Sequence, residues 1–168
     1  NQPIQVSDYI TVFTCARNAI KKLPGHSNDM VIPGAIGTWC ASNPNACVGD
    51  WLQYFVQLLT GLNGQLDGIA IHTYTHGSDP NLVFSNATMN PPYQDRYYHF
   101  RAYRNYMNSI PSNLRHLPVY ITETDQVDPW ADTNSGWVQN VYTEINNWNA
   151  AGNQKIRAVC LYRWGNYD

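Results

Sequence analysis

The sequence predicts an α/β protein with a parallel sheet, built as one domain over residues 1–168. Segments typical of strands alternate with segments typical of helices, and this alternation indicates βαβ units. Several strand segments are nearly continuous apolar runs, as expected for parallel strands that are buried on both faces. No linker or low-complexity tract interrupts the chain, and 43% of its residues are hydrophobic, which is typical of a globular core.

Each element follows from local composition. Local sequence patterns predict four helices, and Gly or Pro residues mark several of their ends. Runs of Val, Ile and other apolar residues predict four strands between them. The expected helices are 8–22, 51–59 (with a stop at Gly61) and 137–150, with another near 93–109, and the expected strands are 30–36, 66–74, 118–123 and 156–164.

Charge and hydropathy exclude several classes of partner. The net charge is -2 and only 13% of the residues are charged, so the clustered Lys and Arg needed for nucleic acids or anionic membranes are not expected. No apolar stretch is long enough to span a membrane. Six Trp and twelve Tyr are many for this length, and aromatic side chains commonly stack on neutral, hydroxyl-rich ligands. No cofactor is indicated.

The cysteines favour an oxidising compartment. Cys40 and Cys47 bracket a loop rich in turn-forming residues, which predicts a local disulfide, whereas a metal clamp would need closer spacing and His partners. Cys15 and Cys160 are expected to be buried, small apolar residues. With the glycosylation sequon at 86–88, these features predict a secreted protein. The chain does not begin with Met and has no signal peptide, so it is expected to be a processed or excised piece.

Residues able to do chemistry cluster at the carboxyl ends of the predicted strands, where parallel α/β folds collect their active sites. Glu123 follows the apolar run Val-Tyr-Ile-Thr, and a carboxylate there is costly to half-bury without a role. In retaining glycoside hydrolysis one carboxylate attacks the anomeric carbon and a second carboxylic acid protonates the leaving oxygen. The full set comprises Trp39, His72, Tyr74, His76, Glu123, Asp125 and Trp164.

Three motifs carry a resemblance to a known family. Ile71-His-Thr-Tyr, Val119-Tyr-Ile-Thr-Glu and Leu161-Tyr-Arg-Trp resemble the sixth, seventh and eighth strands of clan A glycoside hydrolases, the cellulase- and xylanase-like (β/α)8 enzymes. Residues 30–36 would then be the fifth strand. The resemblance implies a partial (β/α)8 barrel, from roughly the fourth helix through the eighth strand.

The same resemblance implies residue roles. Glu123 would be the nucleophile, Tyr74 would hydrogen-bond to it, and His72 would line the site. Trp164 would form the floor of the subsite at the cleaved bond. Trp39, His76 and Asp125, at neighbouring strand ends, are expected to contact an oligo- or polysaccharide.

One departure limits the expected activity. The family's acid/base is the Glu of an Asn-Glu-Pro motif that ends the fourth strand, and this sequence has no such motif; it begins with Asn1-Gln-Pro. We therefore expect the isolated chain to be nearly inactive, and to self-associate or stay bound to an N-terminal half-barrel fragment.

Three alternatives remain open from the residues. The chain is a carbohydrate-binding protein that does not cleave its ligand, or a metal-dependent hydrolase using His72, His76 and Asp125. Alternatively, Glu123 is a structural carboxylate that pairs with Arg163 on the adjacent strand.

Overall fold

A computed structural model describes residues 4–37, 50–126 and 135–162. Within them, four α-helices and three β-strands follow one another along the chain, with two short 3-10 turns. The elements are α1 (Val6–Lys22), α2 (Trp51–Leu62), β1 (Ile69–His72), a 3-10 turn (Pro80–Phe84), α3 (Ala102–Ser109), a second 3-10 turn (Ser112–Leu114), β2 (Val119–Thr124), α4 (Trp137–Ala150) and β3 (Ile156–Leu161).

The three strands form one open parallel sheet in the order β1-β2-β3. The prediction of parallel strands with intervening helices is confirmed, but the prediction of a partial (β/α)8 barrel is wrong. In the described part of the chain the sheet has only three strands, and β1 and β3 are its two edges. The fold is a small open α/β domain.

The segment 30–36, expected to be the first strand, contributes no strand to the sheet. Pro33 has no backbone N–H and so cannot donate to a ladder. The segment is instead attached through Asp67: the Val31 N–H donates to Asp67 Oδ2 at 2.9 Å, and the Asp67 N–H donates to the Val31 carbonyl at 3.2 Å. The side chain and the backbone N–H of Asp67 together thus replace the regular pairing of a strand.

Helix α2 begins and ends for identifiable reasons. The Asp50 carboxylate caps it by accepting from the Leu52 N–H at 2.8 Å. Gly61, the expected stop, lies within the helix, which ends at Asn63 in the left-handed conformation (φ 45°). A Cβ on Gly61 would lie 2.3 Å from Ile10 Cδ1, so the glycine allows α1 to pack closely on α2.

The helix expected near 93–109 is shorter than predicted and covers only α3. The preceding residues pair with residues 87–89: Met89 N–H donates to Arg96 O at 2.9 Å, and Tyr98 N–H to Ala87 O at 2.8 Å. These antiparallel contacts satisfy backbone groups that a longer helix would otherwise have used.

The core lies on one face of the sheet. Ile69, Ile71, Val119 and Ile121 are fully buried there. They belong to an apolar cluster that also contains Phe55 of α2, Tyr103 and Tyr106 of α3, and Trp137 and Val141 of α4. None of the helices in the described residues is long and apolar enough to cross a membrane. The opposite face of the sheet is less covered, and it carries the candidate site.

Candidate functional site

An extra residue in β2 determines where Glu123 lies. Ile71 is opposite Ile121, but the next residue of β1, His72, is opposite Glu123, so Thr122 has no partner across this ladder. The ladder to β3 is also irregular over 121–124. Strict alternation from buried Ile121 would direct residue 123 into the core. The bulge instead puts Thr122 and Glu123 outside the core, and Thr124 returns to it with no exposed surface.

Tyr74 lies between the two carboxylates of β2 and its extension. The Thr73 N–H donates to Glu123 O at 3.4 Å and the Thr75 N–H donates to Asp125 O at 2.9 Å, which flanks Tyr74 with both acidic residues. The Tyr74 hydroxyl donates a short hydrogen bond to Glu123 Oε1. The predicted contact between these two side chains is therefore present in the structure.

Tyr74 keeps its proton. Burial raises the pKa of its hydroxyl, and the hydrogen bond to Glu123 and the charges of Glu123 and Asp125 raise that pKa further, well above its ordinary value. A phenol in this environment is protonated near pH 7 and is able to donate to Glu123. The hydrogen bond from Tyr74 thereby orients the Glu123 carboxylate through Oε1.

His72 lies on the other side of the same carboxylate. Its Nδ1 is 3.9 Å from Glu123 Oε2, too long for a hydrogen bond, and its Nε2 is 3.1 Å from Thr122 Oγ1. Burial lowers the pKa of His72, and the Glu123 charge opposes that effect without reversing it. His72 is therefore mainly neutral near pH 7. Among the described residues no donor lies within hydrogen-bond distance of Oε2, so this oxygen keeps its lone pairs for other partners.

His76 packs in a small aromatic group near the end of the extended β1 segment. Its ring centroid is 4.8 Å from that of Tyr98 and 6.1 Å from that of His99, and its backbone N–H donates to His99 Nδ1 at 3.3 Å. Burial, together with the neighbouring His99, lowers the pKa of His76 to about 4. The His76 side chain is thus a neutral aromatic ring, rather than a charged group, near pH 7.

Sequence reasoning missed three residues of this region: Tyr98, His99 and Tyr162. Tyr162 directly follows β3, its N–H donates to Thr124 O at 2.9 Å, and its proximity contributes to the raised pKa of Tyr74. The run Tyr97-Tyr-His-Phe was assigned to a helix, although its density of rings was a signal of a packed aromatic cluster. Tyr162 was missed because the family resemblance pointed to Trp164, two residues later, as the aromatic residue of the site.

Several predicted residues fall outside the described parts of the chain. They are Trp39, Cys40, Cys47, Arg163 and Trp164, so the predicted disulfide, the Trp platforms and the Glu123–Arg163 pair stay predictions. The prediction that Cys15 and Cys160 are buried is wrong: both are exposed free thiols, because no described helix covers the outer face of α1 or the outward face of β3.

The metal alternative finds no geometric support in the described residues. They contain no group of three or more His, Cys, Asp or Glu side chains arranged to hold a metal ion. His72 and His76 diverge instead, one toward Thr122 and the other toward Tyr98 and His99.

Comparisons with known proteins give no match: no family model, no curated protein and no solved structure is similar to this chain. Any assignment of function therefore depends on the chemistry of the site.

Proposed function

We propose that the protein is a retaining β-glycoside hydrolase, or a part of one, that hydrolyses O-glycosyl bonds in an oligo- or polysaccharide, with Glu123 as the nucleophile. The observation that carries the proposal is the asymmetric environment of the Glu123 carboxylate. Oε1 accepts from the Tyr74 hydroxyl, which is protonated near pH 7, and Oε2 has no hydrogen-bond donor among the described residues. An attacking carboxylate needs such an arrangement, because one oxygen must be oriented while the other forms the bond.

The neighbourhood of the carboxylate also supports a sugar ligand. A glycosyl ring is neutral and has an apolar face, and the half-buried Tyr74 and His76 and the exposed Tyr162 supply aromatic rings at the same strand ends as Glu123. The neutral state of His72 and His76 suits an uncharged substrate. Thr122, exposed beside Glu123, adds a hydroxyl that can hydrogen-bond to a sugar hydroxyl.

The second carboxylic acid that the reaction needs is not assigned to any residue. Asp125 is the nearest acidic neighbour along the strand, and we propose that it contacts the substrate. Lack of the acid/base would slow hydrolysis of a natural glycoside by about 10²–10⁴-fold. The isolated chain is therefore expected to react with activated substrates far better than with natural ones.

The test is covalent labelling by a 2-deoxy-2-fluoro glycosyl fluoride, whose leaving group needs little protonation. A panel of common hexose and pentose configurations is incubated with the protein, and intact mass followed by peptide mapping locates the adduct. We expect one glycosyl unit on Glu123. Glu123→Gln should abolish the label, and Asp29→Asn, which removes an exposed carboxylate paired with His26, should leave it unchanged.

A non-catalytic carbohydrate-binding protein is the second candidate, and the aromatic side chains of Tyr74, His76 and Tyr162 support it as well. The two candidates differ in one result. Saturable binding of an oligosaccharide to the folded protein, without any label on Glu123 across the panel, would replace the hydrolase proposal with the binding one.

A further inference from the structure

A cavity of about 640 Å³ lies where β2 and β3 begin, at the end of the sheet away from Glu123. Its walls come from the end of α3, the loop before β2, the end of α4 and the loop that leads into β3. The volume is within the range of small-molecule sites. Four residues of β2 separate this end from Glu123, about 13 Å at the usual rise of a strand, so the cavity is distinct from the candidate site.

Three cationic side chains line the cavity: Arg115, Lys155 and Arg157. All three residues are exposed, and the lining contains no Asp or Glu. In the described residues five other Lys and Arg side chains form ion pairs with carboxylates: Arg17, Lys21, Arg96, Arg101 and Arg104.

Only one further described cation, Lys22 at the end of α1, lacks a carboxylate partner. In the part of the chain that the structure describes, the positive charge without a counter-charge is therefore concentrated around one concavity. Like charges gathered in this way repel one another, and a bound anion would relieve that repulsion.

The wall that carries Arg115 is fixed by neutral groups. Its guanidinium donates to Ile110 O at 3.4 Å and Asn108 O at 3.5 Å, which orient the side chain without neutralising its charge. Gln154 Nε2 donates to Leu117 O at 2.8 Å and to Leu114 O at 3.3 Å, and so ties the loop before β2 to the loop before β3. The two walls that carry the cationic side chains are thereby held in a fixed position relative to each other.

We propose that this cavity is a binding site for an oxyanion of the phosphate or sulfate type, either free or carried on a small organic molecule. Two guanidinium groups and an ammonium group match the charge and hydrogen-bonding chemistry of such an anion, since Arg binds its oxygens in pairs and Lys adds a point charge. A set of merely solvated surface cations would bind every anion weakly and without saturation. The site proposed here binds a multivalent oxyanion saturably and more tightly than chloride.

The test is isothermal titration calorimetry with inorganic pyrophosphate at an ionic strength of about 0.15 M, kept constant with sodium chloride. We expect one saturable site with a dissociation constant of about 1 mM or tighter. The variant carrying Arg115→Gln, Lys155→Gln and Arg157→Gln should bind about 30-fold more weakly, at roughly threefold for each exposed cation removed. Its thermal unfolding midpoint is measured alongside to show that it is folded, and single variants replace it if it is not.

The matched control is Lys22→Gln, which removes the one unpaired cation that the described residues place outside the cavity, and this variant should bind like the parent protein. Glucose 6-phosphate and inorganic phosphate are then compared: tighter binding of the sugar phosphate assigns a ligand-borne anion, and equal binding assigns the free anion. The proposal is overturned if pyrophosphate gives no saturable heat, or if Lys22→Gln weakens binding as much as the triple variant does.

Discussion

Replacing Glu144 by Gln tests how much of the stability of the fold depends on a single buried charge. Glu144 of α4 is 2% exposed and accepts four hydrogen bonds. Arg101 donates twice, both at 3.0 Å, Arg104 Nη2 donates at 2.6 Å and the Tyr103 hydroxyl donates at 3.0 Å. This network joins α4 to α3 and to the residue before it.

The expected loss of unfolding free energy is about 3–5 kcal/mol, the usual result of removing one partner from a buried ion pair. Gln keeps the size of the side chain but removes the charge, and it directs an amide N–H₂ toward groups that are themselves donors. Both arginines keep partial contact with water, at 16% and 28% side-chain exposure, so the lower half of the range is favoured.

The pH dependence gives an independent check. Burial raises the pKa of Glu144, but the hydrogen bonds and charges of Arg101 and Arg104 outweigh burial and lower it overall. A carboxyl group whose pKa is lowered by folding stabilises the protein above its unfolded pKa, about 4.3, and loses that contribution as the pH falls. The difference between the parent protein and Glu144→Gln should therefore be full at pH 7 and shrink below about pH 4.

The assay is urea unfolding followed by Trp fluorescence, at pH 7 and again at the lowest pH at which both proteins are folded. Asp29→Asn serves as the control, because Asp29 and His26 form an exposed pair whose loss should cost less than about 1 kcal/mol. A Glu144→Gln loss below about 1 kcal/mol at pH 7, or one independent of pH, would refute the assigned role of this charge.

Three further predictions follow from the site and its supports. Tyr74→Phe should slow labelling of Glu123 by the activated fluoro-sugar about 10- to 100-fold, because a hydrogen bond to a charged group is lost. Tyr54→Phe is the control: it removes an exposed hydrogen bond to Ile4 O and should be labelled at the parent rate. Asp67→Asn should lower the unfolding free energy at pH 7 by roughly 1–2 kcal/mol. Burial raises the pKa of Asp67, but Arg17, the Val31 N–H and Lys21 together lower that pKa to about 2. The loss of stability should therefore disappear as the pH falls from about 4 toward 2. An equal loss at pH 7 and near pH 2 would contradict this prediction. His76 should titrate by NMR with a midpoint near pH 4, since its ring is buried beside His99, and a midpoint near 6.5 would show that the ring is solvated.

The sequence predicted best where a single local pattern determines the structure. The apolar runs before Glu123 and around Ile69 are parallel strands, and helix α4 has the predicted bounds. The contact between Tyr74 and Glu123, which the family resemblance implied, is also present.

Prediction failed where partners distant in sequence decide the structure. The apolar composition of 30–36 resembles a strand, but Asp67 supplies the contacts that a ladder would have made. Gly61 resembles a helix stop until its contact with Ile10 on another helix is known. The barrel was wrong for a similar reason: strand composition does not specify how many strands join one sheet.

The β-bulge at Thr122 determines, through strand register rather than composition, the face of the sheet on which Glu123 lies. If Thr122 instead took the place opposite His72 in a regular ladder, no side chain would change chemically, yet Glu123 would turn to the same face as Ile121 and enter the apolar layer. A glutamate there would be unpaired and would cost several kcal/mol, or would take up a proton and lose its nucleophilicity. In this fold one bulged residue therefore separates an ordinary core strand from a strand that holds a carboxylate outside the core. A search for related sites should look for a β-bulge beside the acid, as well as for the acid itself.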